Sequence, residues 1–510
     1  MSRILKLNYF EASFLFHPLI DSAMMSLLRL PLEIFWWIGK SLDTKDLRSL
    51  CLVSTDFDSI FRERLFDCID FGETPPIHWA IEHKSLGLLR YSIHWKRAKL
   101  NEEHLGLTPL MLAAKVGYAE VVDLLLSSDS VEVSYRNLLG ESALSLAVAH
   151  KSVQVVERLI SEQDIDINNQ SLGGDLPLTI ALKSRQSYIF QLILSDARTD
   201  ASLRDYYGQT PLHEAVEMGD ENAIQMLVRN QRVDVNCFNH RQETPLLLHF
   251  KRYGRFLSIE KQLRIIEALL LSPFINLNHR DNNGRTAIWH AMDNPSPRLA
   301  ELLLQQRNVD SNCIDKFGQT PLAQAARNGF LPLVELLLRD PRLDISPRCA
   351  DAVPPLWSAC RAGHYSTVKF LLQNSVDINQ KSPTGTTPLW IAMAMEHVDI
   401  VHLLLSYEET ISVNDQGPQS FTALIFASAN GRLNIATLLL EHPYINVNMV
   451  DDQGRTAFWW AAAGGHFDVV QVLSKKPGVK KRLKDLEGKT AYAIAKDHNH
   501  IHVRLYLRSF

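Results

Sequence analysis

Residues 208–215 read Gly-Gln-Thr-Pro-Leu-His-Glu-Ala, a pattern typical of the first turn of a helix. Thr210 is a favourable N-cap, because its hydroxyl can accept a backbone N–H that would otherwise be unpaired. Pro211 follows at the first helical position, where its missing N–H costs nothing. Leu212 and Ala215 lie three residues apart and therefore share one face of the predicted helix.

The sequence after this helix start completes a small unit. Gly219 is placed to end the first helix in a left-handed turn. A second apolar stripe then carries Ile224, Leu227 and Val228, and a short extended run covers residues 233–236. The predicted unit is therefore helix, turn, helix and extended loop.

The same unit recurs at a nearly constant step. We call the residue equivalent to Thr210 the cap position and name each repeat by it. The cap positions are Pro75, Thr108, Ser142, Leu176, Thr210, Thr244, Thr286, Thr320, Pro354, Thr387, Thr422, Thr456 and Thr490. Successive caps are 33 to 35 residues apart, except for one step of 42 after Thr244. Five positions after the cap, Ala occurs in twelve units and His249 in the thirteenth. Such a period predicts a repeat protein.

The Thr-Pro-Leu-His-x-Ala core and a period near 33 resemble ankyrin repeats, over residues 73–510. The resemblance implies an all-α ankyrin-repeat solenoid of about thirteen helix-turn-helix repeats, each contacting only its neighbours. It also implies that the concave face and the hairpin tips bind other proteins.

Bulk composition excludes several classes of protein. Hydrophobic content of 46% and charged content of 22% are ordinary for a folded domain, and the net charge of −4 gives no reason to expect nucleic-acid binding. The six cysteines form no C-x-x-C pair, which favours a reducing compartment over disulfides. No apolar run reaches the ~18 residues of a membrane helix. We therefore expect a cytoplasmic protein with no membrane association.

Residues 29–70 differ from the repeats and predict three short helices. The run from Leu30 to Ser54 resembles an F-box, while residues 1–28 are expected to form a weakly ordered arm. The resemblance implies binding of a Skp-type adaptor, and through it a cullin. The residues assigned to adaptor binding are Leu30, Pro31, Glu33, Ile34, Ile38, Leu42, Leu47, Leu50, Val53 and Phe57. The alternative is a plain helical cap on the first repeat.

No catalytic constellation is present in the sequence, so we expect neither an enzyme nor a cofactor. Gly488-Lys489-Thr490 lacks the upstream Gly of a phosphate-binding loop. His498 and His502 lack a third metal ligand, so no metal is expected. Four repeats carry Trp at the His position of the motif, where core packing is expected rather than ligand stacking; they are Trp289, Trp357, Trp390 and Trp459. The basic run 475–484 is expected to be a solvated hairpin, with a nuclear import signal as the alternative.

These observations favour the substrate-recognition subunit of an SCF-type (Skp–cullin–F-box) ubiquitin ligase, whose repeats bind a target protein. The alternative is a non-catalytic ankyrin scaffold with no ubiquitin role. In both cases, we expect an acidic target to bind basic residues seven or eight positions after the cap. These are Lys115, Lys183, Lys251, Arg252, Arg327 and Arg361, interrupted by Glu217 and Asp293, with Tyr253 and Phe256 as apolar anchors. Solvated helix ends are the alternative for the same charges.

Some repeats depart from the pattern. Leu176 cannot cap a helix, so a looser helix start is expected there. The step of 42 predicts about eight extra residues in the inter-helix loop of the Thr244 repeat, near residues 253–258. These two repeats are the expected weak points of the stack.

Overall fold

A computed structural model of the chain describes residues 74–94, 99–253, 257–345 and 352–510. The chain divides into two compact units, the first ending at Asp234 and the second running from Val235 to Phe510. The described residues are all-α; they contain isolated bridges such as His104–Leu107 but no β-strand. The proposed arm and F-box-like segment, residues 1–70, lie outside the described residues.

Five helix pairs make up the described part of the first unit. In chain order they are α1 Pro76–Glu82, α2 Leu86–His94, α3 Pro109–Val116, α4 Ala119–Leu126, α5 Ala143–Ala149, α6 Val153–Ser161, α7 Pro177–Lys183, α8 Ser187–Ser195, α9 Pro211–Met218 and α10 Glu221–Arg229. First helices pack on first helices of the next repeat, and second helices on second helices.

Eight helix pairs make up the described part of the second unit. They are α11 Pro245–Leu248, α12 Ile259–Leu270, α13 Ala287–Ala291, α14 Pro297–Leu304, α15 Pro321–Asn328, α16 Leu331–Leu338, α17 Pro355–Ala362, α18 Tyr365–Gln373, α19 Pro388–Ala394, α20 Val398–Leu405, α21 Ala423–Ala429, α22 Leu433–Glu441, α23 Ala457–Ala463, α24 Phe467–Lys475, α25 Ala491–Asp497 and α26 Ile501–Leu507. The predicted count of about thirteen repeats therefore holds.

The small residue five positions after each cap explains how the first helices approach one another. All twelve alanines at this position are at most 1% exposed, and so is His249. Because Ala has no atoms beyond Cβ, the helices on either side can pack closely against it. The repeated Ala is thus the centre of the core in every repeat.

Most caps act as the sequence predicts. The Thr320 hydroxyl accepts the backbone N–H of Ala323 at 3.1 Å, and seven other Thr or Ser caps do the same for their own helices. Thr210 differs, because its backbone N–H donates to His213 Nδ1 at 3.2 Å. Leu176 has no acceptor, but its backbone N–H donates to Thr179 Oγ1 at 2.8 Å, and this bond supplies part of the missing cap.

A Gly–His contact recurs between neighbouring repeats of the second unit. Gly329 ends its helix with φ of 72°, in the left-handed region predicted for this position. His364, from the next repeat, donates its Nε2–H to the Arg327 carbonyl at 3.0 Å, because a carbonyl can only accept. Equivalent histidines reach the Arg361, Ala429 and Ala463 carbonyls.

Asparagine side chains join successive hairpins. The Asn278 amide donates to the Asn308 carbonyl at 2.6 Å, and its oxygen accepts the Asp310 backbone N–H at 2.9 Å. Each unit contains such amides, seven or eight positions before a cap, and together they form what we call the asparagine ladder. Its members are Asn101, Asn168, Asn236, Asn278, Asn312, Asn379, Asn414 and Asn448.

The insertion in the Thr244 repeat is only partly in the loop. A π-helix, His249–Tyr253, continues the first helix, and α12 has twelve residues where other second helices have seven to nine. The expectation that all the extra residues lie in the inter-helix loop is therefore wrong. The π-helix begins at His249, in the one repeat that lacks Ala at this core position.

His249 is enclosed without polar partners. Its side chain is fully buried, and neither ring nitrogen has a hydrogen-bond partner among the described residues. Burial lowers the pKa of His249 to about 4, because the charged imidazolium would lose its hydration. The residue is therefore a neutral core side chain at physiological pH.

Candidate functional site

The basic residues predicted seven positions after the cap stand at the ends of first helices. Lys115, Lys183, Arg327 and Arg361 lie in the last turn of their α-helices, and Lys251 lies in the π-helix. These cations favour the negative end of the helix dipole, which is the general reason for a basic residue there. Their neighbours decide how much of each charge is open to a partner.

Lys183, in the first unit, is held by two carboxylates. Its Nζ lies 2.7 Å from Asp175 Oδ1 and 3.2 Å from Glu214 Oε1. Burial would lower the pKa of Lys183, but the hydrogen bond to Asp175 and the charge of Glu214 outweigh burial and raise it. The lysine stays charged, and its charge is compensated within the unit.

Lys251, in the second unit, is compensated in the same way. Its Nζ lies 2.8 Å from Glu243 Oε1 and 3.3 Å from Asp281 Oδ2, and both carboxylates are almost inaccessible to solvent. His290 Nε2 lies 3.1 Å from the same Asp281 oxygen. Burial would raise the pKa of Asp281, but its hydrogen bonds from His290 and the backbone lower it well below its usual range. Lys251 therefore belongs to a charge network whose carboxylates are buried.

The remaining residues of the Thr244 repeat contribute less to the site. Arg252 is half-buried in the last turn of the π-helix. Phe256 and the side chain of Tyr253, predicted as apolar anchors, lie outside the described residues. Their role in target binding therefore stays a prediction.

Arg327 and Arg361 occupy the same position in adjacent repeats and are both exposed. No carboxylate among the described residues lies within ion-pair distance of either guanidinium. Their backbone carbonyls accept from His364 and His397, so the ends of the two helices are fixed while the side chains extend outward. Of the predicted cations, these two present planar charge on neighbouring repeats that no carboxylate in the described part of the chain compensates.

Both arginines line an open depression of about 450 Å³ in the second unit, which we call the Arg327–Arg361 depression. Phe317, 67% exposed, and the nearly buried Trp357 provide its aromatic surface. The Arg361 guanidinium carbon lies 5.5 Å from the centre of the Trp357 ring. Apolar and cationic groups therefore meet in one place.

One edge of the depression is built by residues that immediately precede caps. Arg285, Gln319 and Val353 occupy this position in three consecutive repeats. Arg285 Nε donates to Asp315 Oδ2 at 3.1 Å, and its guanidinium carbon lies 3.8 Å above the Trp289 ring. Gln319 Oε1 is buried and has no hydrogen-bond partner among the described residues. The edge thus carries a compensated arginine, while the unpaired Gln319 oxygen is closed to solvent.

The tryptophans at the His position are largely core residues, as predicted. Trp289, Trp357 and Trp459 are 1%, 8% and 7% exposed, and Trp390 is half-buried. The indole N–H of Trp357 donates to Thr386 Oγ1 at 2.9 Å. Trp357 differs from a plain core residue only because its remaining surface borders the Arg327–Arg361 depression.

The comparison with known families agrees with this architecture. A family model described as ankyrin repeats in three copies matches residues 77–171, 144–239, 256–351, 332–416, 356–451 and 410–485. These matches together span residues 77–239 and 256–485, well over half of the chain. The chain belongs to the ankyrin-repeat family. The comparison with curated proteins gave no match.

The family model therefore accounts for residues 77–239 and 256–485, while no F-box domain was found in the N-terminal part. The adaptor-binding residues predicted between Leu30 and Phe57 lie outside the described residues. Ankyrin-repeat proteins are in general binding scaffolds rather than enzymes. This property agrees with the reading of the repeats as a protein-binding module.

Other predicted features occupy structural places in the ankyrin repeats. His498 Nδ1 and His500 Nε2 both lie 2.9 Å from the Ala463 carbonyl, so they bind the preceding repeat. Among the described residues, no group of three or more metal-ligating side chains was found. Likewise, none of the helices described here is both long and apolar enough to cross a membrane.

The basic run 475–484 forms the hairpin between the last two repeats, as predicted. Lys481 Nζ lies 3.5 Å from the centre of the Phe510 ring, and Arg482 donates to the Phe510 carbonyl. These contacts partly cover the run. A role in nuclear import stays a prediction.

Sequence reasoning missed most residues of the depression, among them Arg285, Phe317 and Gln319. It counted charges seven and eight positions after the cap, but the depression also uses the residue before the cap and the hairpin tip. Reading those two positions across neighbouring repeats would have placed Arg285, Gln319 and Phe317 beside Arg327 and Arg361.

Proposed function

We propose that the chain is a non-catalytic scaffold whose ankyrin repeats bind a target protein. One observation carries the proposal, namely the pair of exposed arginines at equivalent positions of adjacent repeats, against which the described residues place no carboxylate. A core would not need such residues, because exposed cations contribute little to the stability of the protein that carries them. They are suited to attracting and orienting a partner of opposite charge.

The target surface is proposed to be acidic and to engage the second unit. Arg327 and Arg361 provide the open charge there, while Lys251, Arg252 and Phe256 extend the proposed surface toward the Thr244 repeat. Lys183 provides a separate contact in the first unit. Because carboxylates compensate Lys183 and Lys251, these two lysines should contribute less to target binding than the arginines do.

A second candidate function adds a ubiquitin ligase role to target binding. The sequence pattern from Leu30 to Ser54 supports it, because its apolar positions follow the F-box order. In this proposal the segment binds a Skp-type adaptor and thereby a cullin, and the repeats hold the target near the ubiquitin-conjugating enzyme. The ligase gains rate because tethering raises the effective concentration of the target.

One experiment separates the two functions. The full chain and a Leu30→Ala, Pro31→Ala variant are affinity-purified from cells, with the surface variant Lys369→Glu as control. The ligase role would be supported if adaptor and cullin co-purify with the wild-type chain and with the control, but not with the double variant. The scaffold function alone would be supported if target proteins co-purify with all three chains and the adaptor with none of them. A wild-type chain that enriches no protein would contradict both.

A further inference from the structure

The Arg327–Arg361 depression combines two kinds of recognition group. Arg327 and Arg361 supply guanidinium donors, and Phe317 and Trp357 supply aromatic surface. A ligand that satisfies both must carry negative charge and an apolar group. A peptide segment contains both features within a few residues, whereas a simple anion has only the first.

The geometry of the charges favours planar or tetrahedral acidic groups. Guanidinium presents a rigid fork of N–H donors that matches carboxylate and phosphoryl oxygens in bidentate contacts. Both forks are exposed, and the described residues place no carboxylate against them, so nothing in that part of the chain competes with an incoming acid. Arg285, which has its own partner in Asp315, instead shapes the edge.

Aromatic surface beside the arginines gives the site a second requirement. Phe317 is 67% exposed, far more than a phenylalanine that serves only the core. Large apolar side chains in well-packed pockets supply most of the binding energy of an interface, while charges at its rim govern association. An acidic segment without an apolar residue would therefore leave Phe317 in water.

We propose that the Arg327–Arg361 depression binds a short segment of a partner protein in which an acidic side chain, carboxylate or phosphoryl, neighbours a large apolar residue. This inference rests on the proposed scaffold function and narrows it to one ligand class and one site. The acidic group engages Arg327 and Arg361, and the apolar side chain packs on Phe317 and the exposed edge of Trp357. The hydroxyls of Ser382 and Thr384 border the same depression, where they hydrogen-bond each other and Thr386.

The test uses the purified full chain and displayed random octapeptides. Selected peptides are resynthesised with a fluorescent label, and their binding is measured by anisotropy. We expect the selected set to carry Asp or Glu beside Leu, Phe or Trp. The combined Arg327→Glu and Arg361→Glu substitutions should weaken binding at least about tenfold. Phe317→Ala should also weaken it, mainly through faster dissociation.

Matched controls separate site loss from misfolding. Lys369→Glu reverses an exposed charge on α18, which is a second helix, and should leave binding unchanged. Circular dichroism should be the same for all variants, because Arg327, Arg361 and Phe317 are exposed. Replacing the selected Glu by phosphoserine distinguishes the two sources of negative charge: tighter binding indicates a phosphoryl ligand, and equal or weaker binding a carboxylate.

Other outcomes would overturn the inference. Selected peptides that bind the wild type and the arginine and phenylalanine variants equally would place recognition elsewhere, while leaving the scaffold function intact. Failure to select any acidic peptide would exclude this ligand class, and the cellular co-purification would still test the scaffold by itself. Displacement of the peptide by a single-stranded oligonucleotide, with the same dependence on Arg327, would assign the depression to nucleic acid instead.

Discussion

The ring of His364 occupies the space into which a side chain at Gly329 would extend. A Cβ added to Gly329 would lie 2.5 Å from His364 Nδ1, closer than such atoms approach in real structures. Gly329 also has φ of 72°, where residues with a Cβ are strained. The glycine thus meets a backbone requirement of its own repeat and a packing requirement of the next.

Replacement of Gly329 by Ala should therefore lower the free energy of unfolding by more than backbone strain alone would. The matched control is Gly478→Ala, because Gly478 has φ of 87° but nothing within 4 Å of its added Cβ. We expect a loss of about 1–2 kcal/mol in the control, from strain. Gly329→Ala should lose about 1 kcal/mol more, because His364 must leave the Arg327 carbonyl. Urea unfolding followed by amide exchange measures both losses.

A double variant checks the cause of that difference. In a His364→Ala background, Gly329→Ala should lower the free energy of unfolding by no more than Gly478→Ala does. The reason is that the ring which the added Cβ would meet is then absent. An equal cost of Gly329→Ala with and without His364 would show that packing against the ring is not the reason.

The asparagine ladder predicts a second stability difference. Asn278→Ala removes two hydrogen bonds to the next hairpin and should destabilise this joint by about 1–2 kcal/mol. Asn308→Ala is the control, because Asn308 contributes only its backbone carbonyl to the same contact. Local amide exchange at residues 308–312 measures the effect. Comparable losses in the two variants would argue against a role for the Asn278 side chain.

His249 should make stability depend on pH. Its pKa falls from 6.5 to about 4 on folding, so below pH 6.5 the unfolded chain binds a proton that the folded chain does not. The stability that depends on neutral His249 is therefore complete above pH 6.5 and declines as the pH falls toward 4. Between pH 7.5 and 5 the decline should be about 2 kcal/mol. Urea unfolding of the second unit at the two pH values measures it.

The variant His249→Ala should lose this share of the pH dependence, because Ala does not titrate. His402→Ala removes an exposed histidine on α20 and should retain the wild-type dependence. An unaltered pH dependence in His249→Ala would mean that another group causes the loss at low pH.

Hydrogen exchange should identify the weakest repeats. We expect the fastest internal exchange in the Thr244 repeat, where the π-helix and the insertion interrupt the regular packing. The Leu176 repeat should exchange fast only once Thr179 is replaced by Val, because Thr179 Oγ1 holds the Leu176 N–H. Uniform exchange across both repeats, before and after the replacement, would disagree with this account.

The repeat core could be predicted from the sequence because its determinants are local. Spacing of caps and alanines gave the number of repeats, and the burial of all thirteen core positions agrees with it. The π-helix at His249 could not be predicted, because the sequence gives the length of an insertion but not how two helices share it. Only the size of the imidazole, at a position that otherwise takes Ala, indicates a local adjustment.

The candidate site was predicted only in part, for a different reason. The basic bias at the ends of the first helices is real, but Lys183 and Lys251 are compensated by Glu214 and Asp281 of the following repeats. These partners are about 30 residues distant in sequence. A charge count along one helix position does not include them, and the open pair Arg327 and Arg361 becomes distinct only when neighbouring repeats are read together.

The asparagine ladder has a mechanical consequence. When a unit is stretched along its stack, the two hydrogen bonds of a ladder asparagine share the load at their joint with the other contacts between the two repeats, and the joints carry the load in series. The weakest joint should rupture first and release one repeat, about 34 residues between caps such as Thr456 and Thr490, or about 110–120 Å of extended chain. The force–extension curve should therefore be a sawtooth, with its lowest peaks from the Thr244 repeat and higher peaks where the ladder is complete.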